Sequence, residues 1–329
     1  MARPLPFTGY SWQISQHEIC FDEEPLVGLL ATAALFEGRA DKGPELNLTL
    51  AKSDIVTRNL REGKVSPWRD YQQVLPEVGL MISTQACPQI TLTEIGRSFL
   101  AGSLEHPDLM TLQMMRYQYP NGYKSQTLNA FVASGVSVRP GLMILRGLIE
   151  LYRKGIVCLS IDQIILYFLP NRLDTEWRFS VDEILSSTQS SVTFSRRRNI
   201  AAWVRLLLKT TLFEPLDGNL ALSDLVISKL DFFANLADHL ISVGPWVPTP
   251  NANNAMNWFA YFGSFKHVDS QLQAIVEIEV EVDEVSLIQD ELELVKATGN
   301  LSLALIDFSP IDLTLGHKLI KWVFKSAGI

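Results

Sequence analysis

Apolar residues recur along this chain mostly at helical spacing, interrupted by glycine and proline at short intervals. LVGLLATAALFEG follows Glu23-Glu24-Pro25 and stops at Gly38. Acidic residues and proline at the start, with glycine past the end, predict a helix there. Leu46 to Arg61 predicts a second helix, stopped by Gly63. Ser66-Pro67-Trp68 supplies a cap and a first turn for a third. Gly79-Leu-Met-Ile-Ser and Gln89-Ile-Thr-Leu then predict two short strands around Thr84 to Pro88.

The second half repeats this order. Leu109 to Tyr117 predicts a helix, and Tyr119-Pro120-Asn121-Gly122-Tyr123 a turn. Pro140 opens a long amphipathic helix with Arg146, Arg153 and Lys154 on its polar side. Leu159-Ser160-x-Asp162 begins another, through Phe168 to Pro170-Asn171. Ser180-x-x-Glu183 reads as a capping box on a short helix, Ser180 to Leu185. Ser195 can cap the helix that carries Arg196-Arg197-Arg198-Asn199 and continues as IAAWVRLLLKTTLF. Phe213 to Leu216 and Asn219 to Leu222 flank Asp217-Gly218, a hairpin signal. Ser223 to Phe233 closes the half as a helix. Helices followed by a small two-stranded wing, twice over, predict a mainly α chain of tandem winged-helix (helix-turn-helix) domains.

Pro245 to Pro250 (PWVPTP), followed by NANNAMN, marks a boundary. Beyond it, Ala274 to Val282 alternates apolar residues with Glu277, Glu279 and Glu281, which predicts a strand with an acidic face. The expected domains are 1–108, 109–244 and an acidic α+β module at 245–329. Charge follows these divisions. Although the net charge is −8, Arg139 to Lys209 holds 11 Lys/Arg against 6 Asp/Glu, and Lys266 to Asp307 holds 2 Lys against 10 Asp/Glu. Such segregation predicts a basic working face and an acidic end with another task. No apolar run approaches the roughly 20 residues of a membrane helix. Three scattered cysteines form no CxxC pair, and MARPLPFTGYSW lacks an apolar signal core. These features predict a cytoplasmic location.

The helix before a wing faces DNA in winged-helix proteins, which makes Trp68, Arg69, Gln72 and Gln73 candidate contacts. The densest positive cluster is Arg196, Arg197 and Arg198 with Arg205 and Lys209. Guanidinium groups in the first turns of a helix can fork onto guanine edges or clamp phosphates, and Asn199 could read adenine. A solvated charge run is the bland alternative. Arg139, Arg146, Arg153 and Lys154 are candidate phosphate contacts. Arg116 and Tyr119 have two readings, as backbone contacts or as a packed joint between domains. Trp203 shares its helix face with Leu207 and reads as core.

No cofactor or metal site is expected. No P-loop or GxGxxG occurs, and the five histidines are isolated. No lysine stands two places after Glu277, Glu279 or Glu281, as metal-dependent nuclease chemistry of the PD-(D/E)xK type requires. A divergent metal site from Glu277, Glu279, Asp283 and Glu293 remains one reading of the tail; a solvated, DNA-mimicking or partner-binding acidic face is the other.

One stretch carries a resemblance. Leu92-Thr93-x-x-Gly96 opens a helix, an acidic break spans Glu105 to Asp108, and a second helical stretch ends in Gln113-x-x-Arg116-Tyr117-Gln118-Tyr119-Pro120-Asn121. This order resembles the recognition half of AlwI-like type IIS restriction endonucleases, over roughly residues 25 to 235. It implies double-stranded DNA recognition in a restriction-like or phage-defence system. No nuclease motif follows, so the resemblance implies a specificity protein working with a nuclease or motor recruited through the acidic module. A winged-helix scaffold for protein contacts is the alternative, as is a divergent Mg-dependent endonuclease.

Overall fold

The computed structural model describes residues 3–15, 17–40, 44–52, 68, 71–123, 125–186, 194–246 and 254–276. The predicted strand from Ala274 to Val282 lies largely outside them, as do Arg69 and the second half of the helix expected at Leu46 to Arg61. The described residues are mainly helical with one small antiparallel sheet. They form two compact units. Among the described residues, one spans Ile19–Glu105 with Gly263–Phe265; the other takes the residues up to Glu18, His106–Phe262 and 266–276.

In the first unit, α1 (Glu23–Leu35) has Leu26, Leu29, Leu30 and Ala33 fully buried. It is apolar on nearly every side, so it becomes the unit's centre rather than a surface helix. α2 (Pro44–Lys52), the short α3 (Val74–Glu77) and α4 (Glu94–Ala101) pack around it. The two predicted strands pair more sparsely than expected. Met81 and Leu92 form an isolated antiparallel bridge, as do Ala40 and Gln89, and the Ile82 N–H donates to Thr91 at 2.9 Å. A turn at Thr84–Ala86 and Pro88 use up the residues a longer ladder would need.

The Leu92-Thr93-x-x-Gly96 stretch acts as a clasp. Thr93 caps α4 by accepting the Gly96 N–H at 2.9 Å and donates its hydroxyl to Gly79 O at 2.6 Å. Its own N–H reaches Leu80 O at 3.1 Å. A Cβ at Gly96 would stand 2.0 Å from Leu80 O, so only glycine fits. Arg97 and Glu37 pair at 2.5 Å beside it.

In the second unit, α5 (His106–Arg116) and α6 (Ser125–Ala133) precede the central helix α7 (Pro140–Arg153). Leu142, Met143, Ile144, Leu145, Leu148 and Ile149 of α7 are buried. β1 (Cys158–Leu159) leads into α8 (Ile161–Gln163), a turn that carries a complete capping box between Ser160 and Gln163. The Ile164–Phe168 segment that follows is wound as a π-helix. α9 (Trp177–Ser186) starts three residues before the expected Ser180 cap. The Ser180 hydroxyl instead donates to Tyr167 O at 2.7 Å, and Glu183 pairs with Arg3 at 2.8 Å. The Ser180-x-x-Glu183 spacing therefore serves tertiary contacts.

α10 (Phe194–Leu207) is followed by β2 (Phe213–Leu216) and β3 (Asn219–Leu222). Phe213 faces Leu222 and Leu216 faces Asn219, while β1 pairs with the other edge of β3, giving the order β1-β3-β2. Asp217 and Gly218 both have positive φ, 50° and 76°, as the two-residue hairpin requires. α11 (Asp224–Ser228) breaks at Lys229, and α12 (Leu230–Val243) runs ten residues past the expected end at Phe233. Phe233, Ala234, Leu236, Ala237 and Leu240 are buried, which carries the helix on. α13 (Asn254–Phe262) and the single turn α14 (Ser270–Gln273) complete the unit.

Residues 3–15 belong to this unit despite lacking periodicity. Trp12 is fully buried, donates to the Tyr10 hydroxyl at 3.1 Å and meets Trp203 edge-on at 6.4 Å. Arg3 also donates to Asn171 Oδ1 at 2.6 Å.

Candidate nucleic-acid interface

α10 faces two ways. Ile200, Ala202, Trp203, Val204, Leu206 and Leu207 are buried, against α5, α8 and the π-helical turn. Arg197, Arg198 and Arg205 are exposed on the opposite side. Arg198 and Arg205 are seven residues apart, so they line up two helical turns apart, with the small Ala201 between them. Asn199 lies at the margin and donates to the Ser11 hydroxyl at 3.0 Å. Arg196 belongs to α10, with its side chain outside the described set. The β2–β3 hairpin follows this helix directly.

Arg197 and Arg198 differ although adjacent. Arg197 Nη1 donates to Asp162 Oδ1 at 2.5 Å, and both side chains are about half open to solvent, 50% and 40%. Arg198 has no hydrogen-bond or ion-pair partner among the described residues. One cation is held and the next is loose.

The other candidate cations are spent inside the second unit. Arg139 is buried, pairs with Asp174 at 2.7 Å and donates to Leu240 O at 2.9 Å. Its own N–H also reaches Asp174, which pins the start of α7. Arg146 is buried too, pairing with Asp238 at 2.9 Å while its guanidinium lies 4.1 Å over the Trp177 ring. Arg153 pairs with Glu150 at 3.5 Å and with Asp231. Arginines that read as the polar stripe of an amphipathic helix thus rivet α7 to α12 and to the turn before α9. Lys154 is exposed just past the end of α7, without a partner among the described residues.

Arg116 and Tyr119 are likewise interior. Arg116 donates to Tyr261 O and lies 4.8 Å over the Tyr261 ring. Burial lowers its pKa below the usual arginine value, and the interaction with Tyr261 opposes this. Gln118 donates to Pro120 O at 2.8 Å and to Trp246 O. Tyr119 exchanges both backbone hydrogen bonds with Val138, at 2.7 and 2.9 Å. Its hydroxyl donates to Gln13 O and accepts the Trp203 indole N–H at 3.3 Å. The Arg116-Tyr117-Gln118-Tyr119 run is therefore a hub that joins α5, α7, α10, α13 and the N-terminal segment of one unit.

In the first unit, Trp68 is fully buried and its backbone N–H donates to Asn47 Oδ1 at 3.1 Å. Gln72 is half-buried and accepts from Thr84 at 3.0 Å, and Gln73 is exposed. The structure thus brings Arg197, Arg198 and Arg205 together on one face and assigns Trp68, Arg116, Tyr119, Arg139 and Arg146 to the interior. Arg178, exposed and not singled out by the pattern of charges along the chain, lies 4.7 Å over Trp177, the ring that Arg146 also covers. Its adjacency to Trp177 was the available signal. Among the described residues, no three His, Cys, Asp or Glu converge as a metal group, and no helix is long and apolar enough to cross a membrane. Glu277, Glu279, Asp283 and Glu293 lie outside the described residues.

No protein-family model and no curated protein matches the chain. A solved structure does: the BpuJ1 endonuclease binding domain, crystallised in complex with pyrene- and phenanthrene-modified DNA. The likeness covers 71% of this chain and 91% of that one, with a TM-score of 0.55 and 13% identity. At that identity the two share a fold.

Proposed function

We propose that this chain recognises double-stranded DNA as the specificity component of a restriction-like or phage-defence system. The observation that supports it most is the likeness, over 71% of the chain, to an endonuclease binding domain crystallised on DNA. In this reading both units are winged helices. α10 is the recognition helix of the second and the β2–β3 hairpin its wing. Arg197, Arg198 and Arg205 face the duplex, with Arg196, Asn199 and Lys154 as further proposed contacts. In the first unit Gln72 and Gln73 are the proposed contacts. Phosphate contacts set the register and base edges set the sequence. The acidic segment from Lys266 to Asp307 recruits the nuclease or motor made by another chain.

Triple reversal of Arg197, Arg198 and Arg205 to Glu tests this. All three side chains are exposed, so the reversal buries no new charge. It is expected to lose duplex binding in a gel-shift assay at low salt, with an unchanged melting curve. Full retention of binding would remove α10 from the interface.

One observation favours a second reading, a scaffold for protein contacts. Leu225, Phe232 and Val243 on α11 and α12 are exposed at 40%, 49% and 63%. Phe232→Ser separates the readings, since it weakens partner capture in the scaffold and leaves duplex binding alone in the reader.

A further inference from the structure

We infer that Asp162 positions Arg197 to read a guanine, so that the Asp162–Arg197 pair, rather than the arginine cluster as a whole, sets sequence preference. The inference rests on α10 being the recognition helix. Three observations carry it. First, the pair spans two elements: Asp162 sits in the short turn α8 and Arg197 in the first turns of α10, 35 residues on. Second, Asp162 is on a fixed base. The Ser160–Gln163 capping box closes in both directions, at 3.2 and 2.9 Å, and α8 packs on α10. Third, the pair is half exposed, where an ion pair adds little to stability. Its value lies elsewhere.

Arginine carries five N–H donors, and Asp162 occupies Nη1. The remaining fork is held in one orientation and can still donate to a pair of neutral acceptors. Guanine O6 and N7 are such a pair in the major groove. A phosphate is a poorer partner, because the carboxylate already neutralises the guanidinium and repels a second anion. Arg198, with no partner among the described residues, is the opposite case: a loose cation suited to phosphate at any sequence. Adjacent arginines thus divide the work, one for sequence and one for grip.

The experiment is selection from a pool of duplexes with randomised interiors, using the full-length wild type, Asp162→Asn, Arg197→Ala and Arg197→Lys. Affinities for the wild-type winner and a scrambled duplex follow by anisotropy. The wild type is expected to enrich a motif with at least one fixed G·C pair. Asp162→Asn and Arg197→Ala should lose preference at the same base pair, with the winner-to-scrambled ratio falling about tenfold, within the worth of a bidentate contact. Arg197→Lys keeps the charge without the fork and should lose that preference too. Asp162→Asn should also bind scrambled duplex more tightly than the wild type does. Should both Asp162→Asn and Arg197→Ala retain the wild-type motif and ratio, the pair has no reading role, while DNA recognition stands. A wild type that enriches nothing overturns both.

Discussion

A cation in a sequence does not declare whether it faces water or a carboxylate. Arg139, Arg146 and Arg153 occupy the polar positions of an amphipathic pattern, yet each meets an acid far along the chain, at Asp174, Asp238 and Asp231. Removing one partner of a buried pair strands the other. Arg139→Ala is expected to cost about 3–5 kcal/mol of stability. In chemical denaturation the midpoint falls, while duplex affinity of the folded protein stays at the wild-type value. A large drop in affinity at unchanged stability would return Arg139 to the interface. A second pair gives a pH dependence. Asp269 caps α14 through the Gln271 N–H at 2.9 Å, and the His239 ring lies at 2.9 Å. Desolvation pushes the Asp269 carboxyl up, but these hydrogen bonds outweigh it and hold it below the ordinary aspartate value. A depressed folded-state pKa means stability that is present above the unfolded value, near pH 4, and lost as the pH falls through the folded one. The melting temperatures of wild type and Asp269→Asn should therefore differ at neutral pH, and the gap should narrow as the pH falls below about 4 and close below the lower folded-state value. A gap that persists in acid would assign the effect to packing.

Elements were legible where a short-range rule fixed them. Proline and glycine punctuation placed the starts of α1 and α7 near their observed positions, and Asp217-Gly218 placed the β2–β3 turn at the residue. Rules that depend on distant partners did not read through. Ser180 and Glu183 have capping-box spacing, but Tyr167 and Arg3 claim them. Residues 3–15 show no period because their order comes from burying Tyr10 and Trp12 against another part of the chain. The exposed face of α10 was legible as a cluster. The hold of Asp162 on Arg197 was not, since nothing in the intervening residues links them. The motif at Leu92 to Gly96 had a visible pattern whose cause is steric. Gly96→Ala would place a methyl 2.0 Å from Leu80 O, a backbone atom that moves only with α4 or its partner. We expect a loss of about 1–3 kcal/mol, as for overpacked cores. The thermal transition should fall accordingly, and a neutral substitution would show that α4 can slide.

The whole chain carries a net charge of −8, which opposes attraction to DNA, and still presents three exposed arginines on one helix face. The proposed duplex contact depends on local rather than total charge, so its affinity is expected to be modest and steeply dependent on salt. The most direct measurement is fluorescence anisotropy of the full-length chain with a labelled duplex pool across a salt series, beside the Arg198→Ala variant. The account predicts binding at low salt whose logarithm falls linearly with log salt. It also predicts a slope shallower by about one in Arg198→Ala, because one phosphate fewer is neutralised. A chain that leaves every duplex free at low salt would contradict it.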